Sequence, residues 1–146
     1  MMILKCIVSI ALLSNLIAEE IHYFAGKHFL ASYLDCDVEA LSNVPALLEA
    51  MDVAVAASGA TILARNHHLF PPNGLTVAYL LSESHACLHT YPECGACFVD
   101  IFTCGNHCSS EAFDTIFQHY LKPKTVNARM FIRDEGIQEI PLSARE

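Results

Sequence analysis

The chain has 146 residues, of which 53% are apolar, with a formal net charge of −8 and seven cysteines. That length supports one domain with a real core rather than two. With 8 Lys and Arg against 16 Asp and Glu and no basic cluster, binding to nucleic acid is excluded, because phosphate neutralisation needs a basic face; a small, cationic ligand fits the charge better.

Residues 1–24 form an apolar extension, MMILKCIVSIALLSNLIAEE and four more, with a single lysine near its start. Its run of roughly a dozen apolar or small residues falls short of the ~20 that span a bilayer, so no membrane partner is expected and the cytoplasm is the expected location. A secretory signal is the competing reading, but Leu16 and Ala18 make a poor cleavage site. From His28 to Tyr33 the apolar run predicts a strand, and Asp35 and Asp37 then offer helix-capping oxygens. Val44, Leu47, Leu48, Met51, Val55 and Ala56 recur at helical spacing, with Pro45 in the first turn and Gly59 as a stop, which predicts a helix over 43–57. Thr61–Ala64 reads as a short strand, and Asn66–Gly74 as a loop by its prolines, asparagines and glycine.

Strand signals resume at Leu75–Leu81 and Ala86–Thr90, turn at Pro92–Gly95 and return as ACFVDIFTC, an antiparallel meander. Ser109 or Ser110 caps a second helix whose stripe of Phe113, Ile116, Phe117 and Tyr120 faces the core, and Pro123 ends it. Thr125–Arg133 alternates as a last strand, followed by a polar, exposed tail. Helices set among antiparallel strands give the fold class: α/β, a two-layer α/β sandwich with a mostly antiparallel sheet and two main helices. The expected organisation is the extension 1–24, a domain at 25–135 and a tail at 136–146.

The odd number of cysteines, most of them in or beside predicted strands, favours reduced thiols packed as small hydrophobes over a disulfide scaffold. Cys94 and Cys97 form CxxC, with Cys104, His107 and Cys108 following, which raises a metal-binding module as an alternative. No second well-spaced pair completes it, and no metal ligand is assigned. Chemistry gathers in Ser82–Gly105, where a Glu-Ser bond, two histidines, a carboxylate and a cysteine supply a nucleophile and proton carriers within one short stretch.

SESHACLHTYPE followed by DIFTCG, together with GKHFLASYLDCD from residue 26, ASGATIL at 57–63 and HHLFPPNG at 67–74, resembles the prokaryotic S-adenosylmethionine decarboxylase proenzymes. The resemblance implies self-cleavage between Glu83 and Ser84 into a β chain, 1–83, and an α chain, 84–146. Ser84 would become a covalent pyruvoyl cofactor that binds substrate amine as a Schiff base, with no pyridoxal phosphate. It further implies that His89 transfers the proton in processing and that Thr76 supports the oxyanion, standing where the family has a serine. Cys104 would be the proton donor in decarboxylation, a role within the reach of a thiol. Phe70 would stack on the adenine, with a cation-π attraction of ~0.5 to 2 kcal/mol for a nearby sulfonium, and Glu93 would accept the ribose hydroxyls. His85 belongs to the motif without an implied chemical step.

The implied partners are S-adenosylmethionine and a second copy of the chain, in a homodimer that stacks two sandwiches into a four-layer αββα assembly. The implied function is the supply of the aminopropyl donor for spermidine synthesis. Besides Thr76, three positions depart from the pattern: Tyr91 for tryptophan, Ser32 for an acidic residue in the first strand, and Leu69 for a basic one. The loss of a carboxylate at Ser32 keeps open a pyruvoyl-dependent decarboxylase of ornithine or arginine, and an inactive partner subunit is the non-enzymatic alternative.

Overall fold

The computed structural model describes residues 24–104 and 106–142; the apolar extension up to residue 23 lies outside them. Nine residues, Gly26–Leu34, form strand β1, in which Phe29, Ala31 and Tyr33 are buried while His28, Leu30 and Ser32 alternate with them. A period of two sends these sets to opposite faces of a sheet. The chain then turns at Asp35, and the Asp37 carboxylate accepts from the N–H groups of Glu39 and Ala40, capping a five-residue helix α1, Val38–Ser42. Asn43 ends α1 and at once caps α2, Val44–Ser58, by accepting from Ala46 N–H. The helix expected over 43–57 is therefore α2. The Asp37 cap starts a separate short turn, too brief for periodicity to register.

Gly59 closes α2 at φ 86°, where a side chain would be strained. The chain continues as β2 (Ile62–Phe70), β3 (Gly74–Leu81), β4 (Ser84–Tyr91), a single 3₁₀ turn at Pro92–Cys94 closed by Gly95, and β5 (Ala96–Thr103). Helix α3, Ser110–Leu121, is capped by Ser109, whose side chain accepts from Ala112 N–H, and ends at Lys122 in the left-handed region just before Pro123. Strands β6 (Thr125–Arg133) and β7 (Ile137–Ile140) complete the chain.

All seven strands pair antiparallel in one sheet of order β2-β3-β4-β5-β1-β6-β7. Helices α2 and α3 cover one face, and the core between the layers holds Phe29, Tyr33, Leu47, Met51, Val55, Leu88, Phe113 and Phe117, all without solvent exposure. The aromatic stripe of α3 is core as expected, with Ile116 and Tyr120 partly buried at its margin. Tyr33 donates to Asp114 at 2.6 Å and Tyr120 to the Ala40 carbonyl at 3.0 Å, so α3 is tied to β1 and α1. The architecture is the expected two-layer α/β sandwich.

Two segments differ from the sequence-based expectation. Asn66–Phe70 is the second half of an edge strand rather than a loop, paired His67 to Val77, His68 to Thr76 and Phe70 to Gly74. An edge strand pairs on one side and can stay solvated, so polar residues carry no penalty there; the true turn is only Pro71–Asn73. His67, His68 and Phe70 thus sit on a strand. The other segment is β7, read as plain tail, which pairs Met130–Arg133 of β6 in spite of its exposure.

Candidate active site

The residues singled out in the sequence fall into two groups at opposite ends of β4. Ser84 opens the strand and pairs with Thr103 of β5, whereas His89, five positions on, pairs with Phe98. At about 3.3 Å per residue the two side chains are separated by roughly 16 Å, well beyond hydrogen-bond reach.

Glu83, Ser84 and Cys104 make the first group. The register of β4 on β5 brings the N–H of Cys104 to the Glu83 carbonyl oxygen at 3.0 Å. That oxygen belongs to the Glu83–Ser84 peptide, and it is where negative charge develops if a nucleophile adds to the carbonyl. The Glu83 carboxylate is held on the other side: it accepts from Thr61 N–H at 2.9 Å and lies 3.7 Å from His107 Nε2. Hydrogen bonds from Ser82 and from the Thr61 N–H hold this carboxyl below the usual carboxylate range. Ser84 Oγ lies 3.2 Å from Nδ1 of His85, and His85 Nε2 lies 3.6 Å from Asp100 Oδ2, which also meets His28 Nε2 at 3.3 Å. A serine hydroxyl on an imidazole, beside a carbonyl already polarised by a backbone donor, is the equipment of an acyl transfer. The thiol of Cys104 opens on a cavity of about 500 Å³ shared with Phe24, Gly26, Phe102 and Arg133.

The second group lines a cavity of about 320 Å³ at the far end of the strand, formed by Phe70, Pro71, Pro72, Gly74, Thr76, His89, Tyr91 and Glu93 among others. Phe70 presents about half its surface to solvent. The hydroxyl of Thr76, opposite His89 in the register, is hydrogen-bonded to His89 Nδ1 at 3.0 Å. Within one chain Thr76 therefore orients His89, and it shares the far end of the sheet from the Glu83 carbonyl. Glu93 stands exposed in the 3₁₀ turn. Apolar pocket walls with a few convergent polar groups suit a small ligand.

The cysteines divide by environment. Cys36, Cys97 and Cys108 are buried, and Cys94 and Cys104 are exposed. Burial pushes the Cys36 and Cys87 thiols up to about 11, with help from the nearby charges of Asp35 and Asp100 respectively, and raises Cys97 further. The two thiols of the CxxC are thus split between core and solvent, and no cysteine joins a metal-ligand cluster among the described residues. The cluster present there is His28, His85 and Asp100, with ligand atoms within 4.8 Å of one another.

Two features of the candidate site are not legible in the sequence. The Cys104 N–H as donor to the Glu83 carbonyl depends on strand register, which no local motif encodes. The contact of His85 with Ser84 had a signal, adjacency in sequence, but neighbours in a strand ordinarily face apart.

The family model described as S-adenosylmethionine decarboxylase matches residues 27–134, from β1 to the end of β6. A protein named S-adenosylmethionine decarboxylase proenzyme from Methanococcus maripaludis is 41% identical over 116 residues, covering 76% of this chain and 93% of its own. One of the same name from Methanococcus aeolicus is 39% identical over 98 residues, covering 67% and 84%. The crystal structure of the adenosylmethionine decarboxylase from Aquifex aeolicus superposes with a TM-score of 0.67 at 29% identity, over 80% of this chain and 94% of that one. A match that runs through six of the sheet's seven strands, in relatives aligned over most of their length and in a common three-dimensional fold, establishes that the chain belongs to the S-adenosylmethionine decarboxylase family.

Proposed function

We propose that the chain cuts its own Glu83–Ser84 bond, converts Ser84 to a pyruvoyl group and decarboxylates S-adenosylmethionine. The observation that carries this reading is the Glu83 carbonyl, held at 3.0 Å by the Cys104 N–H next to a serine whose hydroxyl already meets an imidazole. Ser84 Oγ attacks the Glu83 carbon, the Glu83–Ser84 C–N bond breaks, and the chain is joined through an ester. Removal of the Ser84 α-proton breaks the Cβ–Oγ bond and expels the main-chain carboxylate of Glu83, and water then converts the dehydroalanine left at position 84 to the ketone with release of ammonia. The residues fit that product: the end of the new α chain stays paired with Thr103, beside the Cys104 thiol. The pyruvoyl ketone supplies an electron sink for an amine-bearing substrate that loses CO2. Cys104 returns the proton to the substrate α-carbon.

His89, oriented by Thr76, is the base for the α-proton of Ser84, and Phe70 and Glu93 bind the adenosine. Since His89 lies roughly 16 Å along the strand from Ser84 of the same chain and Thr76, Phe70 and Glu93 line the same far cavity, the reading requires a second copy to deliver them. The outer face of the sheet, opposite the helices, supports such a homodimer: Leu30, Leu80, Tyr91 and Phe98 are exposed on it, and an apolar patch of that kind favours association. Isologous pairing of this face would set each protomer's Ser84 against its partner's His89 cavity and stack four layers, αββα.

The direct test is a denaturing gel of freshly purified protein. Wild type gives two pieces, and Ser84→Ala gives one chain with the same circular dichroism. Ser32 motivates a second substrate reading, since it lines a cavity of about 390 Å³ with Asp100, Asn127 and Arg129 where an acidic residue is usual. CO2 release from S-adenosylmethionine, ornithine and arginine separates the two. Release from S-adenosylmethionine alone supports the first.

A further inference from the structure

The imidazole nearest to Ser84 is that of His85, and it ends a continuous polar chain across the outer face of the sheet. Arg133 Nη1 lies 3.4 Å from His28 Nδ1, His28 Nε2 lies 3.3 Å from Asp100 Oδ2, His85 Nε2 lies 3.6 Å from the same oxygen, and His85 Nδ1 lies 3.2 Å from Ser84 Oγ. The donor inventory sets the direction of each link. A guanidinium only donates, so His28 Nδ1 accepts and carries its proton on Nε2, facing a carboxylate that only accepts. That carboxylate, at ion-pair distance from His85 Nε2, electrostatically favours the His85 proton on that nitrogen. His85 Nδ1 is then a lone pair, and the Ser84 hydroxyl is the donor aimed at it.

We propose that His85 is the general base that starts self-cleavage, with Asp100 as its positioning residue and His28 and Arg133 behind Asp100. The inference rests on the self-cleavage reading. As Ser84 Oγ bonds to the Glu83 carbon, its proton passes to His85 Nδ1 and the Glu83 oxygen takes the negative charge against the Cys104 N–H. Collapse of this adduct breaks the C–N bond. The imidazolium returns the proton to the departing nitrogen, leaving an ester and a free amine with no net proton consumed. Asp100, within ion-pair range of His85 Nε2, stabilises the transient imidazolium. His89 keeps the later step, removal of the α-proton. The two histidines of SESHACLH thus divide the reaction in time.

The same three groups could instead surround a divalent cation, but two features of the site oppose it. The Arg133 guanidinium already faces His28, and its Cζ lies 4.5 Å from the centre of the adjacent Phe102 ring. A metal on His85 Nε2 would also put the ring proton on Nδ1, where it could not accept from Ser84.

The experiment follows cutting at 83/84 in freshly translated chain by denaturing gel and intact mass. His85→Gln should slow cutting 10²- to 10⁴-fold, the span of a positioned base, and its uncut chain should resist hydroxylamine because the bond is still an amide. His89→Ala should also remain uncut but open with hydroxylamine at the same bond, because the ester has formed. Added imidazole should restore cutting in His85→Gly. Asp100→Asn, which preserves side-chain volume, should slow cutting about tenfold, and Asp100→Glu should recover part of that loss. Cutting by His85→Gln at the wild-type rate, or its arrest as a hydroxylamine-sensitive ester, overturns the proposal. Wild-type cutting abolished by a chelator and restored by zinc overturns it in favour of a metal. A wild-type chain that stays uncut refutes the self-cleavage reading, and the role of His85 falls with it.

Discussion

Mixing two inactive variants should restore about one quarter of the activity, a fraction set by the proposed sharing of each site between two copies of the chain. Ser84→Ala removes the proposed pyruvoyl precursor, and His89→Ala removes the proposed base together with its hydrogen bond to Thr76. Each homodimer lacks one component at both sites. In a mixed C2 dimer, Ser84 of one protomer meets the partner's intact His89 at one site, and both substitutions fall on the other. Random pairing makes about half the dimers mixed, and each carries one complete site of two, so about a quarter of wild-type sites return. The roughly 16 Å between Ser84 and His89 of one chain leaves no route to this result within a protomer. Co-expression of the two variants with different tags, purification through both, and CO2 release per dimer measure it; the doubly purified dimer should reach about half. Activity at background level in that dimer, with both chains folded, refutes the shared site, as does full cutting by His89→Ala alone.

Other predictions follow from single contacts. Glu93→Gln should leave self-cleavage intact and raise KM for S-adenosylmethionine roughly 10- to 100-fold, the equivalent of a lost charge-assisted hydrogen bond of about 1.5–3 kcal/mol; steady-state kinetics on processed enzyme checks it. Phe117→Ala should cost about 3–5 kcal/mol in urea unfolding, because the ring is fully buried between α3 and the sheet, stacks on Tyr33 and meets Phe113 edge-on. Asp52 on α2 accepts from Arg65 at 2.9 Å and Tyr79 at 2.7 Å, and these bonds, Arg65 first, hold its carboxyl below the ordinary range. A lowered folded-state pKa gives stability that is present above the unfolded carboxylate value and lost as pH falls through the folded one. Asp52→Asn should therefore bring the urea midpoint down at neutral pH and leave it nearly unchanged in strong acid. An equal drop at both pH values would contradict the assignment.

The fold was legible where burial wrote a period into the sequence. Leu47, Met51 and Val55 mark the buried face of α2, Phe113 and Phe117 that of α3, and Phe29, Ala31 and Tyr33 the inner face of β1. It was illegible where structure is made without burial: the outer half of β2, with His67 and His68 in an edge strand, and the exposed β7. The five residues of α1 are set by one Asp37 cap rather than by a period.

For the site, the run from Ser82 to Gly105 contains the bond proposed to react and most of the candidate residues. Their grouping, however, depends on strand geometry. Five positions along a strand carry Ser84 and His89 to opposite ends, while register on β5 brings Cys104 back to Glu83 and puts Asp100 below His85. Sequence proximity therefore overstated one relation and hid the others.

The most direct measurement of the central claim is the intact mass of the purified protein under denaturing conditions. Self-cleavage at Glu83–Ser84 predicts two species, one ending at Glu83 and one beginning at position 84 that is lighter than its serine-terminated form by one ammonia. A single species at the mass of the uncut chain, or an α chain that keeps its amino-terminal serine, would contradict it.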